Sequence, residues 1–289
     1  MIANYIDTIE IDSLWNGRKH ILWHLKPDVN ILSGVNGMGK TTILNRVVDC
    51  MRRMQASIDK DTGDKSAKGG ASTLLPEGNT SVRLTLSPRE ANEVRFDVVR
   101  SFDSSMIPAS IASQLTDGMV RSELDWHLYE LQRRYLDYQV NIGNRMIAIL
   151  SKGGADAQKK AIEVSHAKVM FQDTIDDLFS ETLKTIDRSS NELLFNQYGE
   201  KLSPYRLSSG EKQMLIILLT VLLEDNEHYV LLMDEPEASL HVEWQQKLVG
   251  ILRKMNPNAQ IILTTHSPAM IMNGWLDAVT EVGDIVMDE

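Results

Sequence analysis

The run ILSGVNGMGKTTIL, residues 31–44, constrains the chain more than any other stretch. It reads as an apolar strand, a glycine-rich turn and the opening of a helix. Gly34, Gly39, Lys40 and Thr41 satisfy the spacing G-x-x-x-x-G-K-[ST] in the required strand–turn–helix context. Glycines let successive backbone N–H groups turn inward on phosphates, and the helix N-terminus behind them favours negative charge. Asn36, Gly37, Met38 and Gly39 would line the phosphates, with Lys40, Thr41 and Thr42 opening the helix. In this motif the lysine reaches the β- and γ-phosphates and the first hydroxyl ligates Mg²⁺. A turn that merely needs glycines leaves Lys40 and Thr41 unexplained.

Composition narrows what such a loop can serve. With 289 residues, 43% of them hydrophobic, the chain can bury a large core. A formal net charge of −10 argues against a surface that is wholly a nucleic-acid footprint, while leaving room for a local basic patch. The single cysteine, Cys50, excludes an internal disulfide framework and a CxxC zinc site and fits a reducing cytosol. MIANYIDTIEID lacks a secretory layout. The longest apolar run, MLIILLTVLL at 214–223, has ten residues, against roughly 20 needed to span a bilayer. It predicts a buried core helix, a cytoplasmic protein and no direct membrane insertion.

Period divides the chain further. Residues 1–34 alternate apolar and polar positions as half-buried strands do, with NG at 16–17 as a hairpin turn. A helix is expected from Lys40 to about Met54, then a mobile loop over 57–72. VRLTL and EVRFDVV predict a β-hairpin over 82–99. Beyond Thr116 the steps become three and four residues, through Leu124, Leu128, Leu131, Tyr135, Tyr138, Ile142 and Ile149 and then Val164, Phe171, Ile175 and Leu178, broken by SKGGAD. Two antiparallel helices joined by a Gly-Gly turn are expected, reaching on the order of 45 Å if they project and less if they pack on the core. From Leu215 the order helix, YVLLMDE, helix, QIILTTH implies a parallel sheet covered on both faces.

Three further places carry chemistry. Asp234-Glu235 ends an apolar strand, where open α/β sheets bind ligands. Asp234 is placed at the Mg²⁺ and Glu235 at the attacking water. His266 ends the next strand at the same sheet edge, within reach of a γ-phosphate. LSSGEKQ, 207–213, opens the buried helix, where Ser208, Ser209 and Gly210 offer hydroxyls and N–H groups to an anion. The same residues also read as a helix cap with Glu211 three positions after Ser208.

The order phosphate loop, LSSGE, LLMDEPEASLH, TTHSP resembles the ABC-type ATPase superfamily, with its Walker A, signature, Walker B, D-loop and switch-histidine motifs. The resemblance implies an α/β fold: a P-loop ATPase head with a parallel core sheet, an N-terminal antiparallel β layer and a helical-hairpin insertion. It implies a Mg²⁺-ATP hydrolase and a head-to-tail homodimer that sandwiches two ATP molecules. Ser208 and Gly210 would then meet the partner's γ-phosphate, with Ser239 in the D-loop across the interface. Segments of 1–115, 116–190 and 191–289 follow as N-terminal lobe, hairpin insertion and C-terminal lobe. The signature spelling, the DEPEASLH string and the long interval between phosphate loop and signature resemble the RecF-, SMC- and OLD-like branch. EASLH in particular resembles the retron-associated and Septu-type ATPases of bacterial defence operons. Few residues follow His266, so a separate effector chain, a nuclease or toxin, is the expected partner. The hairpin, carrying Arg133, Arg134, Lys159, Lys160 and Lys168, is its expected dock.

DNA or RNA contact is possible, and a RecF-like repair clamp, a transporter's ATP-binding subunit and a non-hydrolysing ATP-binding scaffold are the rival functions. Gln114 is the candidate for the Gln loop, with a polar helix-start residue as the alternative, and the base-stacking aromatic is Trp15 or Trp23, with a core position as the alternative for either.

Overall fold

The computed structural model describes residues 1–17, 19–61, 75–77, 80–100, 120 and 122–287. Two sheets organise the molecule. The first is antiparallel and holds β1 (Tyr5–Ser13), β2 (Lys19–His24), β4 (Leu75–Glu77), β5 (Thr80–Ser87) and β13 (Val286–Met287), in the order β13-β2-β1-β5-β4. The second is parallel and holds β3 (Val29–Ser33), β6 (Phe96–Val99), β10 (Val230–Asp234), β11 (Gln260–Thr265) and β12 (Val279–Glu281), in the order β12-β3-β11-β10-β6. A small third sheet joins β7 (Thr185–Ile186), β8 (Phe195–Gln197) and β9 (Glu200–Leu202).

Strand alternation divides the hydrophobic residues into two cores on the two faces of the parallel sheet. Ile31, Leu231, Met233, Ile261 and Leu263 belong to one core, while Leu32, Val230, Leu232 and Ile262 belong to the other. The second core is closed by helix α1 (Lys40–Asp61), whose Ile43, Leu44, Val47, Val48 and Met51 pack beneath the antiparallel sheet. The first is closed by α2 (Glu123–Lys152), α3 (Ala157–Leu178), α4 (Ser209–Leu223) and α5 (Val242–Met255). Helix α4 is apolar around its whole circumference from Met214 to Leu219, and every one of those side chains is buried, as expected of a helix enclosed on all sides. Buried Gln260 ties the two sheets: its Oε1 accepts from Ile6 N–H at 2.8 Å and its Nε2 donates to the Ile6 and Lys26 carbonyls, both at 2.8 Å.

The helical hairpin is present. Tyr135, Tyr138, Ile142, Phe171 and Ile175 are buried, and Gly153 and Gly154 turn the chain at φ +66° and +112°. The arms differ in length, 30 residues against 22. The hairpin's base packs on α4, while Val140, Ile147, Leu150 and Ile162, nearer the tip, are exposed. Both alternatives therefore hold, each for a different half.

Three expectations need correction. Residues 82–99 do not form a β-hairpin: β5 pairs with β1 in the antiparallel sheet, whereas β6 runs parallel to β10 in the other. Alternation marks a strand but carries nothing about which sheet it joins. Helix α1 continues to Asp61, well past Met54, so 57–61 is helical; the rest of the expected loop falls outside the described residues, as does Gln114. The turn at 16–17 does join an antiparallel pair, but within a one-turn helix, Leu14–Gly17.

Candidate functional site

The parallel strands deliver their C-terminal ends to one edge, where β3, β10 and β11 lie side by side. The phosphate loop leaves β3 there, with Val35 to Met38 exposed and Gly37 and Gly39 at φ +85° and +90°, a region that favours glycine. Lys40 heads α1 and is buried. Its Nζ donates to the Gly34 carbonyl at 2.9 Å and lies 3.7 Å from Glu235 Oε1. Thr41 Oγ1 donates to Asp234 Oδ1 at 3.1 Å. Thus the loop's lysine and hydroxyl meet the two carboxylates that end β10. A hydroxyl and a carboxylate facing each other are hard oxygen donors of the kind Mg²⁺ takes, so Thr41 and Asp234 fit that ion.

Strand β11 supplies the frame. Thr264 Oγ1 donates to Asp234 Oδ1 at 2.6 Å, and the Thr264 carbonyl and hydroxyl oxygens both accept from Glu235 N–H at 3.1 Å. Glu235 itself sits at φ +45°, a conformation a non-glycine residue keeps only when its surroundings fix it. His266, just past β11, brings Nδ1 within 3.6 Å of Glu235 Oε1 and 3.7 Å of Glu237 Oε1.

Glu237 was not singled out by the sequence reading. Only 4% exposed, it accepts from Thr265 Oγ1 at 2.5 Å and from His266 N–H at 3.2 Å, while its second oxygen is buried without a partner among the described residues. It fixes the backbone that presents His266. The signal was a glutamate two residues after the acidic pair, with two threonines following the apolar Ile261–Leu263.

The signature lies apart. Ser208 caps α4, accepting from Glu211 N–H at 3.3 Å, while Glu211 Oε2 accepts from Ser208 N–H at 2.9 Å; the capping-box reading is correct. Ser208, Ser209 and Ser239 are exposed. A Cβ on Gly210 would stand 2.5 Å from the Ser239 carbonyl oxygen, so only glycine lets the loop after β10 pass this close. No hydrogen bond or ion pair joins Ser208, Ser209, Gly210 or Ser239 to Lys40, Thr41, Asp234 or Glu235 among the described residues.

The two tryptophans separate. Trp23 is 2% exposed and its Nε1 donates to Thr280 Oγ1, a core position. Trp15 is 40% exposed and lies on the phosphate loop itself, where a Cβ at Gly39 would stand 2.1 Å from Trp15 Cζ2.

A parallel sheet whose C-terminal edge carries this loop, this carboxylate pair and this histidine defines a P-loop ATPase of the AAA/ABC type. Residues 124–272, more than half of the chain, match the family described as "AAA domain, putative AbiEii toxin, Type IV TA system", and the chain belongs to that family. The matched stretch holds the signature, Asp234, Glu235 and His266, with the phosphate loop preceding it. The chain is 23% identical to the Septu protein PtuA of Bacillus thuringiensis over 96% of its own length and 76% of the relative's. It is 36% identical to the "Retron Vc95 probable ATPase" of Vibrio cholerae over 25% of its length, a match that spans only 16% of that protein. Among solved structures it resembles an SMC head bound to the C-terminal winged-helix domain of ScpA, with TM-score 0.50 and 13% identity over 93% of this chain and 91% of that one, a likeness of fold. No helix among the described residues is long and apolar enough to cross a membrane.

Proposed function

We propose that this ATPase is a switch. Two copies close head to tail around two Mg²⁺-ATP molecules, and that state controls a separate effector, a nuclease or toxin, in bacterial antiphage defence. The observation that carries the reading is the division of the motifs. Lys40, Thr41, Asp234, Glu235 and His266 converge on one sheet edge, while Ser208, Ser209, Gly210 and Ser239 are surface groups outside that cluster. A second chain supplying its signature would complete the site. The likeness to Septu and retron ATPases supports the defence role and the separate effector.

In this reading Lys40 holds the β- and γ-phosphates, releasing its hold on Glu235. Thr41 and Asp234 would hold Mg²⁺, which draws charge from the phosphates. Glu235 orients and polarises the attacking water, and His266 donates a hydrogen bond toward the γ-phosphate. Segments 1–115 and 191–289 form the two lobes of the head, and 116–190 is the insertion that docks the effector. Of the five basic residues on the hairpin, Arg134 is engaged by Asp97 at 3.2 and 3.3 Å, Lys168 donates to Gln139 and the exposed Arg133 lies over the Tyr129 ring at 5.9 Å; the exposed Lys159 and Lys160 near the tip are the docking charges.

The test separates binding from turnover. Lys40→Ala should abolish ATP binding. Glu235→Gln should bind ATP, stop hydrolysis and accumulate as a dimer by light scattering. A Glu235→Gln chain that hydrolyses at the parental rate, or stays monomeric with ATP, contradicts the reading.

A further inference from the structure

The hairpin and the signature turn are joined by two part-buried ion pairs built on two helix caps. Helix α2 opens with a capping box: Ser122 Oγ accepts from Asp125 N–H at 3.2 Å and Asp125 Oδ2 accepts from Ser122 N–H at 3.0 Å. Helix α4 opens with another, Ser208 with Glu211. Each cap carboxylate also takes a lysine from elsewhere. Lys212 Nζ, in the first turn of α4, donates to Asp125 Oδ1 at 2.7 Å, and Lys184 Nζ, just beyond α3, donates to Glu211 Oε1 at 2.8 Å. Thr182 Oγ1 adds a third donor to Glu211 at 2.9 Å. Both carboxylates are nearly enclosed, Asp125 at 4% and Glu211 at 3% exposure. One end of each hairpin arm is thereby fastened to the turn that carries Ser208 and Gly210.

Leu183, between Thr182 and Lys184, is held at φ +55° with its side chain exposed, so the turn's geometry serves the flanking polar groups. Phe179, fully buried, anchors the end of α3 against Phe195 and Trp244 at ring distances of 5.8 and 5.7 Å. Such pairs add little net stability, but removing one partner leaves the other charge stranded in a nearly enclosed place, so pulling the two elements apart is opposed. Burial works against the charge of Glu211, yet its bonds from Lys184, Ser208 and Thr182 outweigh this and hold its pKa below the usual value.

We propose that Asp125–Lys212 and Glu211–Lys184 make the hairpin base and the signature turn one mechanical unit, so that the position of the hairpin sets that of Ser208 and Gly210 at the partner's phosphate. The four are positioning residues. The inference rests on the reading that the signature serves a shared site, and it names the route by which an effector held on the hairpin would be felt by the ATPase and the reverse.

The experiment uses the full chain in a Glu235→Gln background for dimer assembly and the otherwise unaltered chain for turnover. Lys184→Met and Lys212→Met should each weaken ATP-driven dimerisation and slow turnover by about tenfold. Single-chain ATP affinity should not change, and Lys184→Arg should restore both properties. Pairing Lys184→Met with Glu211→Gln leaves no lone charge and keeps the cap, so it reports on the ion pair even if the single variant folds poorly; it should show the same tenfold loss. Arg145→Met, which removes the exposed 2.5 Å pair with Asp225 at the far end of α4, should change neither readout. If the lysine variants dimerise and turn over normally while Ser208→Arg abolishes both, the shared site stands and the coupling is wrong. If Ser208→Arg itself has no effect, the shared-site reading fails and takes this inference with it.

Discussion

Glu235 and Glu237, two residues apart, sit in opposite surroundings. Glu235 is 27% exposed at the sheet edge, where a water can reach it, whereas Glu237 is sealed beneath the loop that carries His266. Glu237→Ala would strand the Thr265 hydroxyl and the His266 N–H, costing about 2 kcal/mol and loosening the histidine. We expect ATP binding to persist and turnover to fall by at least about tenfold, a loss that Glu237→Gln, still an acceptor, mostly avoids. Equal turnover in the Ala and Gln variants would remove Glu237 from this role. Glu224, at the end of α4, is a different case: it is buried, Asn256 donates to its Oε2 at 2.9 Å, and its other oxygen has no partner among the described residues. Burial, aided by the nearby Asp97 charge, pushes its pKa up from 4.5 to about 8. Between those values the unfolded chain is ionised while the folded one keeps the proton, so this group's contribution falls as pH rises and its penalty is complete above about 8. Glu224→Gln should therefore raise the melting temperature more at pH 8 than at pH 5 in calorimetry. An equal shift at both pH values would show that Glu224 does not titrate in this window.

At the scale of elements, what was legible in the sequence is what repeats along one dimension. The strand–loop–helix around Lys40, the apolar run of β10 ending in Asp234, and the three- and four-residue steps of α2 and α3 each carry their own period. Pairing is not such a property. Phe96–Val99 alternates as well as Thr80–Ser87 does, yet the two lie in different sheets, and only neighbours distant in sequence decide it. The same limit hid Thr264 and Glu237, whose importance comes from groups about thirty positions away. It also hid the second duty of Glu211, whose cap was readable from spacing but whose lysine was not. Gln260 shows how much one such long-range residue can hold. Replacing it with leucine would leave the Ile6 N–H and C=O and the Lys26 carbonyl short of partners between the sheets, a loss of about 3 kcal/mol or more. Chemical denaturation should show that drop with an unchanged m-value. A Gln260→Leu chain as stable as its parent would mean the sheets are held together by apolar packing alone.

For the whole molecule, we propose that one chain carries two halves of different active sites. The sheet edge holds the phosphate loop, the carboxylates and the histidine, and in the proposed dimer the capped start of α4 would offer a serine-glycine surface to another copy. Symmetry makes this testable without any effector, because a two-fold pair of such chains has two equivalent composite sites. A Lys40→Ala chain lacks the first half and keeps the second; a Ser208→Arg chain has the reverse defect. Each alone should be inactive. Mixed in equal amounts, half of the dimers should contain one intact composite site, and ATP turnover should return to about a quarter of the parental rate. If the mixture stays as inactive as its components while both chains remain folded, or if Ser208→Arg alone hydrolyses ATP at the parental rate, the site is not shared and the account is wrong.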